Sequence, residues 1–143
     1  MITNPRRAGR ANILLVEDDR PLARLTEVAL KRTAIPHDLR IVHDGHQAIA
    51  ALAETTPDLC LLDLYMPGTD GFHVLEHVRS DERLRRLPVV MLSYSGAPED
   101  VNRAYDLHVN AYVVKQTDFS DLCSTVDSIV NFWLQVVTPP FSM

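Results

Sequence analysis

Residues 61–71 read LLDLYMPGTDG and place one acidic side chain, Asp63, between an apolar run and a segment rich in turn residues. The apolar run begins at Leu59, and its four consecutive apolar side chains predict a strand that is buried on both faces. Beyond Gly71 the spacing of Phe72, Leu75 and Val78 predicts a helix. The position of Asp63 at the end of a buried strand requires an explanation that the rest of the chain must supply.

The same alternation of a short apolar run and an amphipathic stretch recurs on both sides of this segment. Four further runs predict strands, at residues 13–16, 39–42, 89–92 and 111–114. In the helix predicted after the first strand, Leu22, Leu25 and Ala29 would form the buried face. This alternation predicts a doubly wound α/β fold, a flavodoxin-like (βα)5 parallel sheet with the strand order 2-1-3-4-5. The second strand is the most polar and would lie at an edge.

The composition fits one globular domain and excludes several classes of protein. The chain has 143 residues and a formal net charge of −5, which argues against a nucleic-acid partner. No run approaches the ~20 apolar residues that a membrane span requires. Cys60 and Cys123 lie in apolar runs without metal-ligand spacing, as expected of free thiols in a cytoplasmic protein.

Acidic side chains follow two strands that are predicted to be neighbours. Glu17 and Asp18 come directly after the first strand, and Asp63 follows the third. Since adjacent strands are about 4.8 Å apart, these three carboxylates would converge at the carboxyl edge of the sheet, where ligands bind in such folds. Two charges ~5 Å apart repel by roughly 3 kcal/mol at an effective dielectric constant near 20. A shared proton or a hard divalent cation such as Mg²⁺ would relieve this repulsion.

Two further polar residues end strands at the same edge. Ser93 closes the fourth strand and Lys115 closes the fifth. A hydroxyl and an ammonium beside a metal site would suit an anion with several oxygens, and a phosphoryl group carried by Asp63 fits best, because carboxylates act as phosphoryl nucleophiles. Asp19 alone reads as a helix N-cap. His73 and His77 have the spacing of a metal pair on a helix but no third ligand, which favours a solvated face.

Four motifs, each at a predicted strand, carry a resemblance to a known family: LLVEDD, LLDLYMPGTDG, VVMLS and AYVVK. In this combination and order they resemble the receiver domains of two-component response regulators. The resemblance covers nearly the whole chain. It implies a receiver domain over residues 12–138, a flexible arm over residues 1–11 and a C-terminal extension over residues 139–143.

The resemblance also implies roles for the acidic residues. Asp63 corresponds to the phosphoacceptor, which takes a phosphoryl group from a sensor histidine kinase. Mg²⁺ would be bound directly by Asp18, Asp63 and the backbone carbonyl of Tyr65. Glu17 would be the acidic neighbour that reaches the metal through water.

A second group of residues would report the modification. By the same resemblance, Lys115 would pair with the phosphoryl group, Ser93 would move towards it, and Tyr112 would turn inward and reshape the face formed by the fourth helix, the fifth strand and the fifth helix. Gln116 follows Lys115, where the family usually has a proline preceded by a cis bond.

The last helix carries more apolar side chains than one buried face requires. Leu122, Val126, Ile129 and Trp133 would face the core, whereas Val130, Leu134 and others would point elsewhere. The ending FWLQVVTPP resembles that of stand-alone receivers paired with phytochrome-type histidine kinases, in which the C-terminal segment takes part in homodimerisation. The residues expected at a dimer interface are Phe132, Trp133, Val136, Val137 and Phe141. A longer core helix is the alternative.

Two other functions have a comparable topology. An aspartate-nucleophile phosphatase would need a second aspartate two residues after the nucleophile, where this chain has Tyr65. A flavodoxin-like cofactor carrier would need a phosphate-binding loop after the first strand, where Glu17, Asp18 and Asp19 would repel phosphate. We therefore expect a cytoplasmic phosphoacceptor and not an enzyme. Because the chain ends after the fifth helix, its output is expected to be a changed protein contact, without nucleic-acid or membrane binding.

Overall fold

A computed structural model describes residues 9–140, and the sheet within them confirms the predicted architecture. Five parallel strands lie in the order β2-β1-β3-β4-β5. The strands are β1 Ala11–Val16, β2 His37–Val42, β3 Leu59–Leu62, β4 Val89–Ser93 and β5 Ala111–Val114. The helices are α1 Arg20–Lys31, α2 Gly45–Glu54, α3 Gly71–Ser80, α4 Pro98–Asp106 and α5 Phe119–Asn131, and a π-helical segment, Phe132–Val136, continues α5.

Burial along the strands explains their order. Every residue of β3 and β4 is buried, as is typical of central strands covered by helices on both faces. In β2 exposed and half-buried residues alternate up to Val42, which fits its place at the edge. The polar second strand was therefore correctly predicted to lie outside the first.

Side-chain caps fix where four of the helices begin. The carboxylates of Asp19, Asp44, Asp70 and Asp118 accept hydrogen bonds from the backbone N–H groups of Leu22, Gln47, His73 and Asp121. Each cap satisfies a donor that the first helical turn leaves free. The role expected for Asp19 is confirmed.

The core lies in two layers, one on each face of the sheet. α2, α3 and α4 cover one face, where buried residues include Leu52, Phe72 and Ala104. α1 and α5 cover the other, with Leu30 and Val126 among the buried residues. Both layers run the length of the strands and leave the carboxyl edge of the sheet to the loops.

The buried face of α1 differs from the prediction. Ala23, Thr26, Ala29 and Leu30 are buried, whereas Leu25 is 43% exposed. The predicted face was therefore wrong at Leu25. Apolar residues occur at several phases of this helix, and packing against α5 decides which of them are covered.

The end of the last helix also requires a correction. Val130 and Leu134, which were expected to point away from the core, are buried in the layer beneath α1 and α5. The helical structure ends at Val136, three residues before Pro139. Trp133 is half-buried and packs against the same layer.

At the other end of the chain, the first strand begins at Ala11, inside the arm expected from the sequence. Just before β1, Arg10 donates a hydrogen bond from its Nε to Asp38 Oδ1 at 3.0 Å. Phe141 and residues 1–8 lie outside the described residues. Within residues 9–140, every helix is too short or too polar to cross a bilayer.

Candidate functional site

Backbone pairing between the central strands brings the acidic residues to one edge. Val16 and Leu62, the last residues of β1 and β3, are direct partners in the parallel ladder. The N–H of Asp63 donates to the carbonyl of Val16 at 3.0 Å, and the N–H of Glu17 donates to the carbonyl of Val42 at 3.0 Å. Glu17 and Asp63 are thus held by the sheet itself and do not depend on loop conformation.

Gly71 allows the loop after Asp63 to fold back against it. A Cβ atom at Gly71 would lie 2.5 Å from the carbonyl oxygen of Asp63 and 2.9 Å from the Cα of Leu64. The N–H of Gly71 donates to the carbonyl of Leu64 at 2.8 Å. Gly68 has φ of 78°, which is readily adopted only by glycine. The turn residues that follow β3 therefore bring the start of α3 close to Asp63.

The three carboxylates that the sequence predicted to converge do so. One oxygen from each of Glu17, Asp18 and Asp63 lies within 4.8 Å of the others. Glu17 is 1% exposed, whereas Asp18 and Asp63 are half-buried. The group opens towards solvent through the two aspartates.

Burial and mutual repulsion raise the pKa values of both aspartates in this group. The pKa of Asp63 is raised to about 7: burial is the largest cause, the ammonium of Lys115 opposes it, and the charge of Glu17 adds to the increase. Burial also raises the pKa of Asp18, again assisted by Glu17. The site therefore favours a proton, or a cation, over three free negative charges.

Lys115 supplies a buried positive charge at the same edge. Its Nζ forms an ion pair with Glu17 Oε1 and lies 3.9 Å from Asp63 Oδ1. Its backbone N–H donates to the carbonyl of Ser93 at 2.7 Å, which fixes the end of β5 against β4. Nζ also lies 5.2 Å from the ring centroid of Tyr94. All peptide bonds of the described residues are trans, including the one before Gln116.

Ser93 and Tyr112 lie on the neighbouring strands β4 and β5. Ser93 is 2% exposed, and its Oγ accepts a hydrogen bond from the N–H of Ser95 at 3.2 Å. The hydroxyl of half-buried Tyr112 donates to the carbonyl of Ser95 at 2.8 Å. Ser95, to which the sequence assigned no function, therefore joins the two residues expected to form the switch.

Tyr65 takes part in a contact that the sequence did not predict. Its side chain is 59% exposed, and its hydroxyl donates to Asp100 Oδ2 in the first turn of α4. The hydroxyl of Ser95 donates to the same oxygen at 2.6 Å. Hydrogen bonds from Ser95 and Tyr65 lower the pKa of Asp100. Thirty-five positions separate Tyr65 from Asp100, so no local pattern could reveal the pair.

His43 is a second residue that sequence reasoning missed. Its Nδ1 donates to the carbonyl oxygen of Glu17 at 2.9 Å, and its N–H donates to Gln47 Oε1 at 2.8 Å. His43 follows β2 directly, so its place at the carboxyl edge was the available signal. It fixes the backbone at Glu17, the residue directly after β1.

The donor set suits a hard divalent cation. Glu17, Asp18 and Asp63 offer only oxygen atoms, and burial together with the charge of Glu17 raises the pKa of both aspartates. Mg²⁺ prefers a small number of carboxylates together with water and phosphate oxygens. These residues therefore fit a Mg²⁺ site that remains open to an anionic ligand.

Four of the expected interface residues, Phe132, Trp133, Val136 and Val137, lie in or directly after the π-helical segment that continues α5. Phe132 and Val136 are 49% and 62% exposed. Trp133 is half-buried, and its ring meets that of Phe132 edge to face at a centroid distance of 5.3 Å. Val137 is half-buried. Exposed apolar area is therefore concentrated on Phe132 and Val136.

Comparisons with known proteins agree with this geometry. A family model described as the response regulator receiver domain matches residues 13–127. The response regulator Rcp1 of Synechocystis sp. is 42% identical over 135 residues, which cover 90% of this chain and 92% of that protein.

Solved structures give the same result. The crystal structure of the phosphorylated cyanobacterial phytochrome response regulator RcpA has a TM-score of 0.88 and 41% identity, and covers 93% of this chain and 100% of that chain. The Mn²⁺-bound form of response regulator Rcp1 has a TM-score of 0.83 and 40% identity, and covers 92% of this chain and 99% of that chain.

Proposed function

The chain belongs to the response regulator receiver family, and from this membership we propose that Asp63 accepts a phosphoryl group from a sensor histidine kinase. The observation that carries the proposal is the convergence of Glu17, Asp18 and Asp63 within 4.8 Å at the edge where Lys115 follows β5. Phosphoryl transfer depends on positioning and on neutralising charge, and these four side chains supply both.

The transfer step assigns a simple task to Asp63. A carboxylate oxygen attacks the phosphorus of the kinase phosphohistidine, the new P–O bond forms as the P–N bond breaks, and the imidazole leaves with the bonding electrons. Only the ionised carboxylate is a nucleophile, whereas the pKa of Asp63 near 7 favours partial protonation. A nearby cation favours the ionised form.

Mg²⁺ fits the carboxylate group that surrounds Asp63. Asp18, Asp63 and the backbone carbonyl of Tyr65 would hold it directly, and Glu17 would reach it through water. The ion supplies neutralisation of phosphoryl charge. The relative Rcp1 has been crystallised with Mn²⁺, which supports a divalent site of this kind here.

Lys115 and Ser93 are the residues proposed to respond to the phosphoryl group. The ammonium of Lys115, 3.9 Å from Asp63 Oδ1, needs only a small displacement from Glu17 to meet a phosphoryl oxygen. The hydroxyl of Ser93 has a rotatable proton that can be donated to another phosphoryl oxygen. Tyr112, tied to Ser95, would then turn inward and change the surface formed by α4, β5 and α5.

The proposed partners are a phytochrome-type kinase and a second copy of the chain. Similarity to the phytochrome response regulator RcpA supports a kinase of the phytochrome class, bacteriophytochromes included. Phe132 and Val136 would form the centre of a homodimer interface. Trp133, Val137 and Phe141 are the other interface residues proposed from the sequence. The cytoplasmic location expected from the sequence stays a prediction.

We do not propose turnover as an enzyme. An aspartate-nucleophile phosphatase would need a second carboxylate where Tyr65 stands, and the hydroxyl of Tyr65 is engaged with Asp100. A generic phosphomonoester should therefore not be hydrolysed at a measurable rate.

The phosphoacceptor assignment is tested with a small phosphodonor. We expect the chain, incubated with acetyl phosphate and Mg²⁺, to gain the mass of one acid-labile phosphoryl group by intact mass spectrometry. The Asp63→Asn variant should gain none, whereas the control Asp127→Asn, at an exposed position of α5, should behave as the original chain. Acid-labile phosphate on Asp63→Asn would refute the assignment. Phosphotransfer from a purified phytochrome-type kinase then tests the partner.

A further inference from the structure

A hydrogen-bonded bridge through Asp100 joins the β3–α3 loop, which begins at Asp63, to α4. One carboxylate oxygen, Oδ2, accepts from Tyr65 in the β3–α3 loop and from Ser95 in the β4–α4 loop. Asp100 itself lies in the first turn of α4. Three segments that are far apart in sequence thus meet at one oxygen atom.

The bridge continues to both residues of the proposed switch. The N–H of Ser95 donates to Ser93 Oγ at 3.2 Å, and the carbonyl of Ser95 accepts from Tyr112 at 2.8 Å. The Ser95 hydroxyl also accepts from the N–H of Ala97 at 3.3 Å. Ser95 is therefore held through its N–H, its carbonyl and its side chain, and Asp100 holds the side chain.

We propose that Asp100 is a positioning residue that clamps the β4–α4 loop in the resting conformation and opposes the movement of Ser93 towards the phosphoryl group. The inference rests on the proposed function, because it supposes that Asp63 is phosphorylated and that Ser93 responds. For Ser93 to move towards Asp63, its hydrogen bond from Ser95 must stretch or Ser95 must follow. If Ser95 follows, its bond to Asp100 is strained.

Physical chemistry fixes the direction of the effect. Hydrogen bonds to an ionised carboxylate are the stronger kind, so the clamp stabilises the resting state relative to the active one. The half-buried position of Asp100 reduces that contribution through solvent screening. A ligand that binds only the active state has an apparent affinity proportional to the fraction of protein already in that state.

The experiment measures the affinity of the chain for beryllofluoride, a phosphoryl analogue that binds to a carboxylate oxygen, by calorimetry in the presence of Mg²⁺. We expect Asp100→Ala to bind the analogue about three- to tenfold more tightly than the original chain, as a shift of population requires. The matched control is Glu99→Ala, which removes an exposed carboxylate from the same helical turn and should leave the affinity unchanged.

A double-mutant cycle separates the clamp from a general loosening of α4. The pair Tyr65→Phe and Ser95→Ala removes both donors to Asp100, so adding Asp100→Ala to that pair should give no further tightening. Thermal unfolding verifies that every variant is folded. If the original chain binds beryllofluoride and Asp100→Ala binds it no more tightly, the clamp is refuted and the phosphoacceptor function stands. If the original chain neither binds the analogue nor gains a phosphoryl group, both proposals fail.

Discussion

The ammonium of Lys115 is paired with Glu17 more closely than with Asp63. Nζ forms an ion pair with Glu17 Oε1 and stays 3.9 Å from Asp63 Oδ1. Both partners of the pair are almost completely buried, with side-chain exposures of 5% and 2%. In this state, therefore, the lysine neutralises the most buried of the three carboxylates and leaves Asp63 and Asp18 facing solvent.

This pairing predicts that Lys115→Met destabilises the fold. The substitution would leave Glu17 buried without its cation, and breaking one side of a buried pair costs about 3–5 kcal/mol. Urea unfolding in EDTA measures the loss of free energy of unfolding. The control is Lys31→Met, at an exposed residue 3.7 Å from Glu27, where we expect a loss below about 0.5 kcal/mol. Equal losses for the two variants would contradict the structural importance of the buried pair.

The raised pKa of Asp63 predicts that Mg²⁺ stabilises the chain more at high pH than at low pH. The pKa is about 7 in the folded chain against the ordinary 3.8, so between these values the folded chain holds a proton that the unfolded chain has released. Stability from this group therefore falls as pH rises towards 7 and is lost above it. A bound Mg²⁺ would replace the proton and restore the lost stability. Differential scanning fluorimetry at pH 5.5 and pH 8, with Mg²⁺ or EDTA, should give the larger increase in Tm at pH 8.

Asp63→Asn provides the control for this pH dependence. The amide does not titrate, so in EDTA the variant should lose part of the decline in stability between pH 5.5 and pH 8. It should also lose most of the gain from Mg²⁺, because one direct ligand is missing. An unchanged gain from Mg²⁺ would indicate that the ion binds elsewhere.

Sequence patterns predicted the site because the site is fixed by strand order. The carboxyl end of each strand is marked by a change from apolar to polar residues, and the parallel sheet brings those ends together. To predict the positions of Glu17, Asp63 and Lys115, only the strands and their order were needed. The caps at Asp19 and Asp70 are likewise local, since each involves a backbone group three residues away.

Features that depend on tertiary packing were not predictable in this way. α1 has apolar residues at several phases, and only contact with α5 decides that Leu30 is buried and Leu25 is exposed. Similarly, Val130 and Leu134 were predicted to point away from the core, because the periodicity of apolar residues does not show how deep the layer beneath α5 is. The bond between Tyr65 and Asp100 joins the β3–α3 loop to the first turn of α4, and the pattern of apolar residues carries no information about such a polar contact.

The close approach at Gly71 predicts that Gly71→Ala is destabilising. An added Cβ would lie 2.5 Å from the backbone oxygen of Asp63, which no side-chain rotation can relieve. A forced backbone shift of this kind costs roughly 1–3 kcal/mol and would displace the acceptor. We expect a lower Tm and slower phosphoryl uptake from acetyl phosphate.

Gly96→Ala is the matched control for that substitution. A Cβ at Gly96 would meet only a side-chain methyl of Val114 at 3.8 Å, an ordinary contact distance. Its effect on Tm should be small, and phosphoryl uptake should stay within about twofold of the original chain. If both glycine variants behaved alike, the contact between Gly71 and Asp63 would not be limiting.

The exposed end of α5 predicts a homodimer that depends on two residues. Phe132 and Val136, 49% and 62% exposed, are one helical turn apart, so Phe132→Asp with Val136→Asp should shift the chain to monomer in sedimentation equilibrium. Their exposure means that the free energy of unfolding of the monomer should change little. The matched control is Gln135→Asp, an exposed position in the same turn, which should keep the original association state. Leu134→Asp would instead unfold the chain, because Leu134 is buried. An unchanged sedimentation profile for the double variant would show that these side chains do not form an interface.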